Sequence, residues 1–215
     1  MRVLALHGAG GSPADWDPVV TALAGRYEVV PLELGEPWDW EAVLDRIEPH
    51  ATDNPAVLGM SMGGMVAAMW GRRHPECPAV IDIDGHGVPT QPRRYLDPVP
   101  LKEIDELREV FRGFGQPELQ DALEALDCFE VFREVRCPML LAVATRPMAG
   151  QVLFEPYRQG LARDLETLPD NIEVVHLDAT HAVALEDPAL IASLVERYLD
   201  DRRLSLPEHE ESFPS

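Results

Sequence analysis

Short apolar, β-branched runs recur along the chain at Val3 to Leu6, Tyr27 to Leu32, Ala56 to Leu58, Ala79 to Ile83, Met139 to Ala144 and Ile172 to Leu177. Each has the length and residue type of a buried strand. Between them, near Ala14 to Ala24, Trp40 to Ile47, Met62 to Arg73, Tyr157 to Leu168 and Pro188 to Leu199, apolar residues return at helical spacing. Strand and helix alternating in this way predict a parallel sheet with helices on both faces.

One segment breaks the rhythm. His86 to Pro100 is rich in proline and polar residues, and amphipathic stretches follow near Leu101 to Phe111 and Glu118 to Val135. Residues 86–135 therefore read as an inserted helical cap, with an ordinary long crossover as the alternative. The remaining organisation is an α/β core at 1–85 and 136–200. From Asp200 the sequence turns charged and proline-bearing without a helical apolar stripe, so 201–215 is expected to be a loose tail.

The chain has 215 residues, 46% of them hydrophobic, enough to bury one sizeable core. Its 38 acidic and 18 basic residues give a formal net charge of -20, which disfavours nucleic acid and anionic membranes as partners. Lys102 is the sole lysine, which argues against Schiff-base chemistry. Cys77, Cys128 and Cys137 are widely spaced and lack histidines at zinc-site intervals, so neither a disulfide framework nor a metal site is indicated. With no basic leader and no apolar run long enough to span a bilayer, a cytoplasmic protein is expected.

The strongest chemical signal is Gly59-Met60-Ser61-Met62-Gly63-Gly64, set between Ala56-Val57-Leu58 and the helix-like Met65 to Trp70. A serine on a sharp strand-to-helix turn projects its hydroxyl, and flanking glycines avoid collisions there. The helix beginning beneath it offers N–H groups and a positive dipole end to a developing oxyanion. A second signal, His7-Gly8-Ala9-Gly10-Gly11-Ser12, follows the first strand. Its small residues let the N–H of Ala9 or Gly10 pair with that of Met62 as an oxyanion hole. The competing reading, a dinucleotide loop, lacks G-x-G-x-x-G spacing and a ribose-binding acid. The third signal is Asp178-Ala179-Thr180-His181, after the last strand run. A loop there shares a sheet edge with Ser61, so His181 is the expected general base. His7 and His86 also lie near strand ends, where they are candidates to line a pocket.

In Leu6-His7-Gly8, Gly59 to Gly64 and Thr180 to Pro188 the chain resembles the α/β-hydrolase superfamily, over about Arg2 to Leu199. The resemblance implies an α/β fold in reduced form: a six-stranded, mainly parallel sheet with helices on both faces and a small helical cap, without the family's leading antiparallel hairpin. It also implies a serine nucleophile, a histidine base and an acid. Three features depart from the family's pattern. The chain begins at the family's third strand. The loop after the second strand reads Glu33 to Trp40 where the family has a glycine-rich turn. The turn after Met139 to Ala144, where the family usually carries its acid, is Thr145-Arg146-Pro147-Met148-Ala149-Gly150, with no carboxylate.

The acid must then come from elsewhere, since Arg146 cannot stabilise an imidazolium. Asp84, closing Val80-Ile81-Asp82-Ile83-Asp84, is the leading candidate and matches an alternative acid position in some family members. Asp82, Asp178 or a bare Ser–His pair are the alternatives. Trp16, Trp38 and Met148 are expected to line a substrate pocket, with Tyr95, Phe111, Phe114 and Phe154 as further aromatic candidates. Together these imply a serine hydrolase of a small-molecule acyl substrate (an ester, lactone or thioester) that requires no metal or organic cofactor. A cofactor-independent lyase or carbon–carbon hydrolase, and a non-catalytic ligand-binding homologue, remain alternatives.

Overall fold

The computed structural model describes residues 1–35, 39–112 and 117–205. Six strands, β1 Arg2–Leu6, β2 Glu28–Leu32, β3 Ala56–Met60, β4 Val80–Ile83, β5 Met139–Ala144 and β6 Ile172–Leu177, form one sheet in the order β2-β1-β3-β4-β5-β6. Every neighbouring pair is parallel. Pro31, which has no N–H to donate, is accommodated because β2 is an edge strand.

Residues alternate strictly between two cores. On β1, Leu4 and Leu6 face one apolar cluster and Val3 and Ala5 the other; on β5, Met139, Leu141 and Val143 oppose Leu140 and Ala142. The period of two leaves both faces of the sheet apolar, which requires helices on both sides. The first face is covered by α2 Trp40–Ile47, α3 Met62–Arg73 and α7 Phe154–Leu165, the second by α1 Asp17–Leu23, the short α8 Val183–Glu186 and α9 Pro188–Ser205.

Between β4 and β5 the chain forms α4 Leu101–Arg112, α5 Pro117–Ala125 and α6 Cys128–Glu134. The amphipathic stretch from Glu118 to Val135 is broken at Asp127, whose carboxylate accepts from the Phe129 N–H and starts α6. Helix α6 packs on α3 and adds Phe129 and Phe132 to the core on that face of the sheet.

The tail expectation needs a correction, because α9 continues to Ser205. Asp200 accepts a hydrogen bond from the Tyr27 hydroxyl at 2.6 Å and pairs with Arg26, which ties this charged stretch to the start of β2. Residues 206–215 lie outside the described ones. Among the described residues, no helix is long and apolar enough to cross a membrane.

Candidate active site

The strand order reverses between β1 and β3, and a crevice opens at such a point beyond the strands' carboxyl ends. Both glycine-rich loops found in the sequence leave from there. Ser61 caps α3 with φ 55° and ψ -121°, a left-handed conformation that a β-carbon makes unfavourable. It is held by its own N–H donating to Ile83 O at 2.8 Å and by its carbonyl accepting from Met65 N at 3.1 Å. The turn depends on close backbone approach. A Cβ on Gly59 would fall 2.0 Å from Gly63 O, and one on Gly63 would fall 2.1 Å from Leu6 O.

His181, after β6, reaches the serine. Its Nδ1–H donates to Asp84 Oδ2 at 2.6 Å, which leaves Nε2 to accept from the Ser61 hydroxyl at 2.9 Å. The structure thus brings together Ser61, His181 and Asp84, residues separated by up to 120 positions. Burial pushes the His181 ring below its ordinary value, but the Asp84 hydrogen bond and charge outweigh this and leave it raised. Burial likewise pushes the Asp84 carboxyl up, and the His86 and His181 rings reverse this, holding it well below the usual carboxylate range.

The alternative acids sit elsewhere. Asp82 is fully buried two residues down the strand, where its Oδ1 accepts from Gly85 N at 2.7 Å. With burial the leading cause and the Asp84 charge adding to it, its carboxyl is pushed well above the usual range. Asp178 is almost wholly exposed and pairs with Arg146 at 3.4 Å. The turn after β5 supplies no carboxylate, but Ala144 N at the strand's end donates to Asp84 Oδ1 at 2.8 Å.

A cavity of about 170 Å³ opens beside Ser61 and His181, and Ala9 and Met62 are part of its wall. The Met62 N–H is at the first position of α3, where the helix provides no acceptor. The Ala9 N–H has no acceptor among the described residues. The rest of the lining is largely apolar and includes Met65 from α3, Leu107 and Phe111 from α4, Leu123 from α5, and Phe154 and Leu161 from α7.

Of the three pocket residues expected from sequence, Met148 lines this cavity. Trp16 does not: it is 1% exposed in the core beneath β1, because the turn at Pro13–Trp16 directs the indole into the apolar cluster with Val19 and Leu58. Trp38 and Phe114 lie outside the described residues. Tyr95 packs edge-on against Tyr157, and its hydroxyl donates to Pro89 O at 2.6 Å. His7 is absent from the lining. Its Nδ1 meets Gly8 O at 2.9 Å, and its Nε2 lies 3.4 Å from Leu34 N, tying the first glycine loop to the chain after β2.

Two contacts to Asp84, and one behind them, escaped the sequence reading. Besides the Ala144 amide, His86 Nε2 meets Asp84 Oδ1 at 2.9 Å, and His86 Nδ1 lies 3.1 Å from the Tyr157 hydroxyl. Glycines on both sides of His86 were the available signal, since they let the chain turn back tightly on Asp84.

Known proteins share this architecture. The chain is 23% identical, over 99% of its length and 84% of the relative's, to an AB hydrolase superfamily protein of Gibberella zeae. It superposes on a bacterial membrane phospholipase A with a TM-score of 0.70 at 21% identity, covering 94% of this chain and 79% of that one. For a carboxylesterase of Nitrososphaera gargenis the values are 0.67, 18%, 95% and 92%. For an enol-lactonase of Burkholderia xenovorans they are 0.64, 16%, 93% and 91%. The family model described as the alpha/beta hydrolase family matches residues 3–194, which takes in the sheet, the serine turn and the histidine loop, and the chain belongs to that family.

Proposed function

We propose that this α/β-hydrolase cleaves a small, largely apolar carboxylic ester, lactone or thioester through an acyl-enzyme on Ser61. The observation that carries this reading is the hydrogen-bonded line from Ser61 Oγ through His181 to Asp84, at 2.9 and 2.6 Å. Ser61 Oγ attacks the carbonyl carbon while its proton passes to His181 Nε2. Asp84 keeps the Nδ1 proton in place and stabilises the imidazolium without itself being protonated. The N–H groups of Ala9 and Met62 receive the charge that develops on the carbonyl oxygen. As the tetrahedral intermediate collapses, the bond to the leaving oxygen or sulfur breaks and His181 returns the proton to that atom. Water then attacks the acyl carbon, His181 takes its proton, and the second collapse frees the carboxylic acid and reprotonates Ser61.

Two further features support this reading over its rivals. The lyase alternative drew its motive from the missing acid after β5, and Asp84 occupies that role from β4. A ligand-binding homologue has no need to maintain a strained serine, and Ser61 keeps φ 55°. The apolar cavity lining favours an uncharged acyl group. Incubation with a fluorophosphonate tests the reading: the phosphonyl mass is expected on Ser61 alone, with ester turnover abolished in Ser61→Ala. Labelling elsewhere, or undiminished turnover by that variant, overturns it.

A further inference from the structure

We infer that His86 is a positioning residue for the acid: a second histidine on Asp84 that, with Tyr157, fixes which carboxylate oxygen faces His181. The inference rests on the reading of Asp84 as the acid. Asp84 stands at an unusual backbone position, with φ 57°, and reaches past the end of β5 to a histidine that follows β6. Its carboxylate needs a fixed rotation about the Cβ–Cγ bond to present Oδ2 to His181. Two donors fix the other oxygen, the Ala144 N–H at 2.8 Å and His86 Nε2 at 2.9 Å. The amide is set by the sheet, whereas His86 is a side chain and requires its own orientation.

Tyr157 supplies it from α7. Its hydroxyl is 3.1 Å from His86 Nδ1, and burial holds that hydroxyl well above its ordinary range, so it is an O–H donor. Donation to Nδ1 leaves the His86 proton on Nε2, aimed at Asp84. His86, Asp84 and Tyr157 are all buried, which strengthens these bonds. Of the ionisable groups around this cluster, Asp82 is fully buried with one oxygen on Gly85 N and its charge opposes that of Asp84, and Cys128 is a buried thiol behind Tyr157. Arg94 is tied to Asp127 and Asp164, Arg158 at the cavity rim pairs with Glu155, and the Tyr95 hydroxyl bonds Pro89 O. Because His86 and Tyr157 both line the cavity, the ring that holds the acid is also part of the wall a substrate touches.

The test compares His86→Phe, His86→Gln and Tyr157→Phe with the unaltered protein by two readouts. In protein carrying ¹⁵N-histidine and no substrate, NMR is expected to show His86 protonated on Nε2, a preference lost in Tyr157→Phe. With His86→Phe, the negative charge of Asp84 is no longer shared with a second donor, so the His181 titration moves to higher pH. In the second readout, the fluorophosphonate labelling rate of Ser61 falls roughly tenfold in His86→Phe, and its pH profile shifts in the same direction. His86→Gln, which keeps an N–H donor, recovers most of both. An unmoved His181 titration in His86→Phe overturns the proposal, as does His86→Gln matching His86→Phe in both readouts. Failure of the unaltered protein to label refutes the serine-hydrolase reading alone, because the NMR titration decides the role of His86 without any reaction.

Discussion

Asp84 Oδ2 and His181 Nδ1 meet at 2.6 Å although one residue follows β4, the other follows β6, and β5 lies between those strands. The carboxylate crosses the gap at the end of β5, where the Ala144 amide donates to its other oxygen. Asp84→Asn keeps the shape of that side chain but removes the charge that stabilises the imidazolium and offers His181 an amide donor in place of an acceptor. The expected result is a fall in kcat of about 10³- to 10⁴-fold on an activated ester, with the fold intact. Activity within tenfold of the unaltered protein would remove Asp84 from the mechanism.

The pH dependence follows from the raised His181 value. The serine is activated only when Nε2 is unprotonated, so kcat/KM should rise with pH through an inflection above the ordinary 6.5 and be lost below it. The same shift has a stability consequence of opposite slope. A group whose folded value is raised contributes stability that is complete below 6.5 and disappears as pH rises through the folded value. Asp84, held low, contributes stability that is present above about 3.8 and is lost as pH falls toward its folded value. A pH–rate profile and thermal melts from pH 3 to 9 read these effects separately. An inflection below 6.5 contradicts the assignment of His181.

Asp82 lies within β4 and Asp84 just past its end, and they differ in what surrounds them. Asp82 is fully buried, has one oxygen bonded to Gly85 N and leaves the other without a partner among the described residues. Its carboxyl is pushed upward by burial, so the folded chain resists ionising it, and that costs stability as pH rises above 3.8. Asp82→Asn removes the ionisation and keeps an oxygen for Gly85. Its melting temperature is expected to exceed that of the unaltered protein at pH 8, the difference shrinking toward pH 4, with ester turnover retained. Loss of turnover comparable to Asp84→Asn would reopen the choice of acid.

These outcomes also mark what the sequence could and could not convey. Strand positions were legible to within about two residues because the central runs are apolar on both faces, as Val3 to Leu6 is. Ser61 and His181 were legible because the turns carrying them need particular residues and follow strands on one sheet edge. His86 was legible as part of a pocket wall but not as a partner of Asp84, because its ring is oriented by a contact to Tyr157 across 71 positions. Trp16 misled because an aromatic beside a glycine loop suits a pocket and a core equally, and tertiary packing chose the core. The break at Asp127 was hidden by continuous amphipathic spacing from Glu118 onward. Its cause is the carboxylate itself, which caps α6 and pairs with Arg94.

The serine turn has no tolerance for a side chain at Gly63. A Cβ there would lie 2.1 Å from Leu6 O and 2.6 Å from His7 O, both backbone atoms at the end of β1. Relief requires separating α3 from β1, which would displace the Met62 N–H and the glycine loop together. Gly63→Ala is expected to cost about 3 kcal/mol or more in urea denaturation and to abolish fluorophosphonate labelling. A loss under about 1 kcal/mol with labelling intact would show that the turn is looser than its contacts imply.

Arg94 organises the segment that overhangs the site. It is 3% exposed, and its guanidinium donates to Asp164 on α7 at 2.9 Å, to Asp127 at 2.8 Å and to Gln91 at 3.1 Å, with its carbon 4.7 Å from the centre of the Phe129 ring. Replacing it by methionine fills the space but takes from Asp127 and Asp164 their one buried cation, leaving each with a more exposed arginine, Arg93 and Arg163. The expected destabilisation is about 2 to 3 kcal/mol, because both acids lose a desolvated, charge-assisted hydrogen bond while keeping a solvent-screened partner. Adding Asp127→Asn and Asp164→Asn to Arg94→Met removes the desolvated charges, while asparagine at 127 still caps α6. The triple variant should therefore be more stable than Arg94→Met alone in urea denaturation. If the asparagines make it less stable still, the arginine acts through packing on Phe129 and not through its charge.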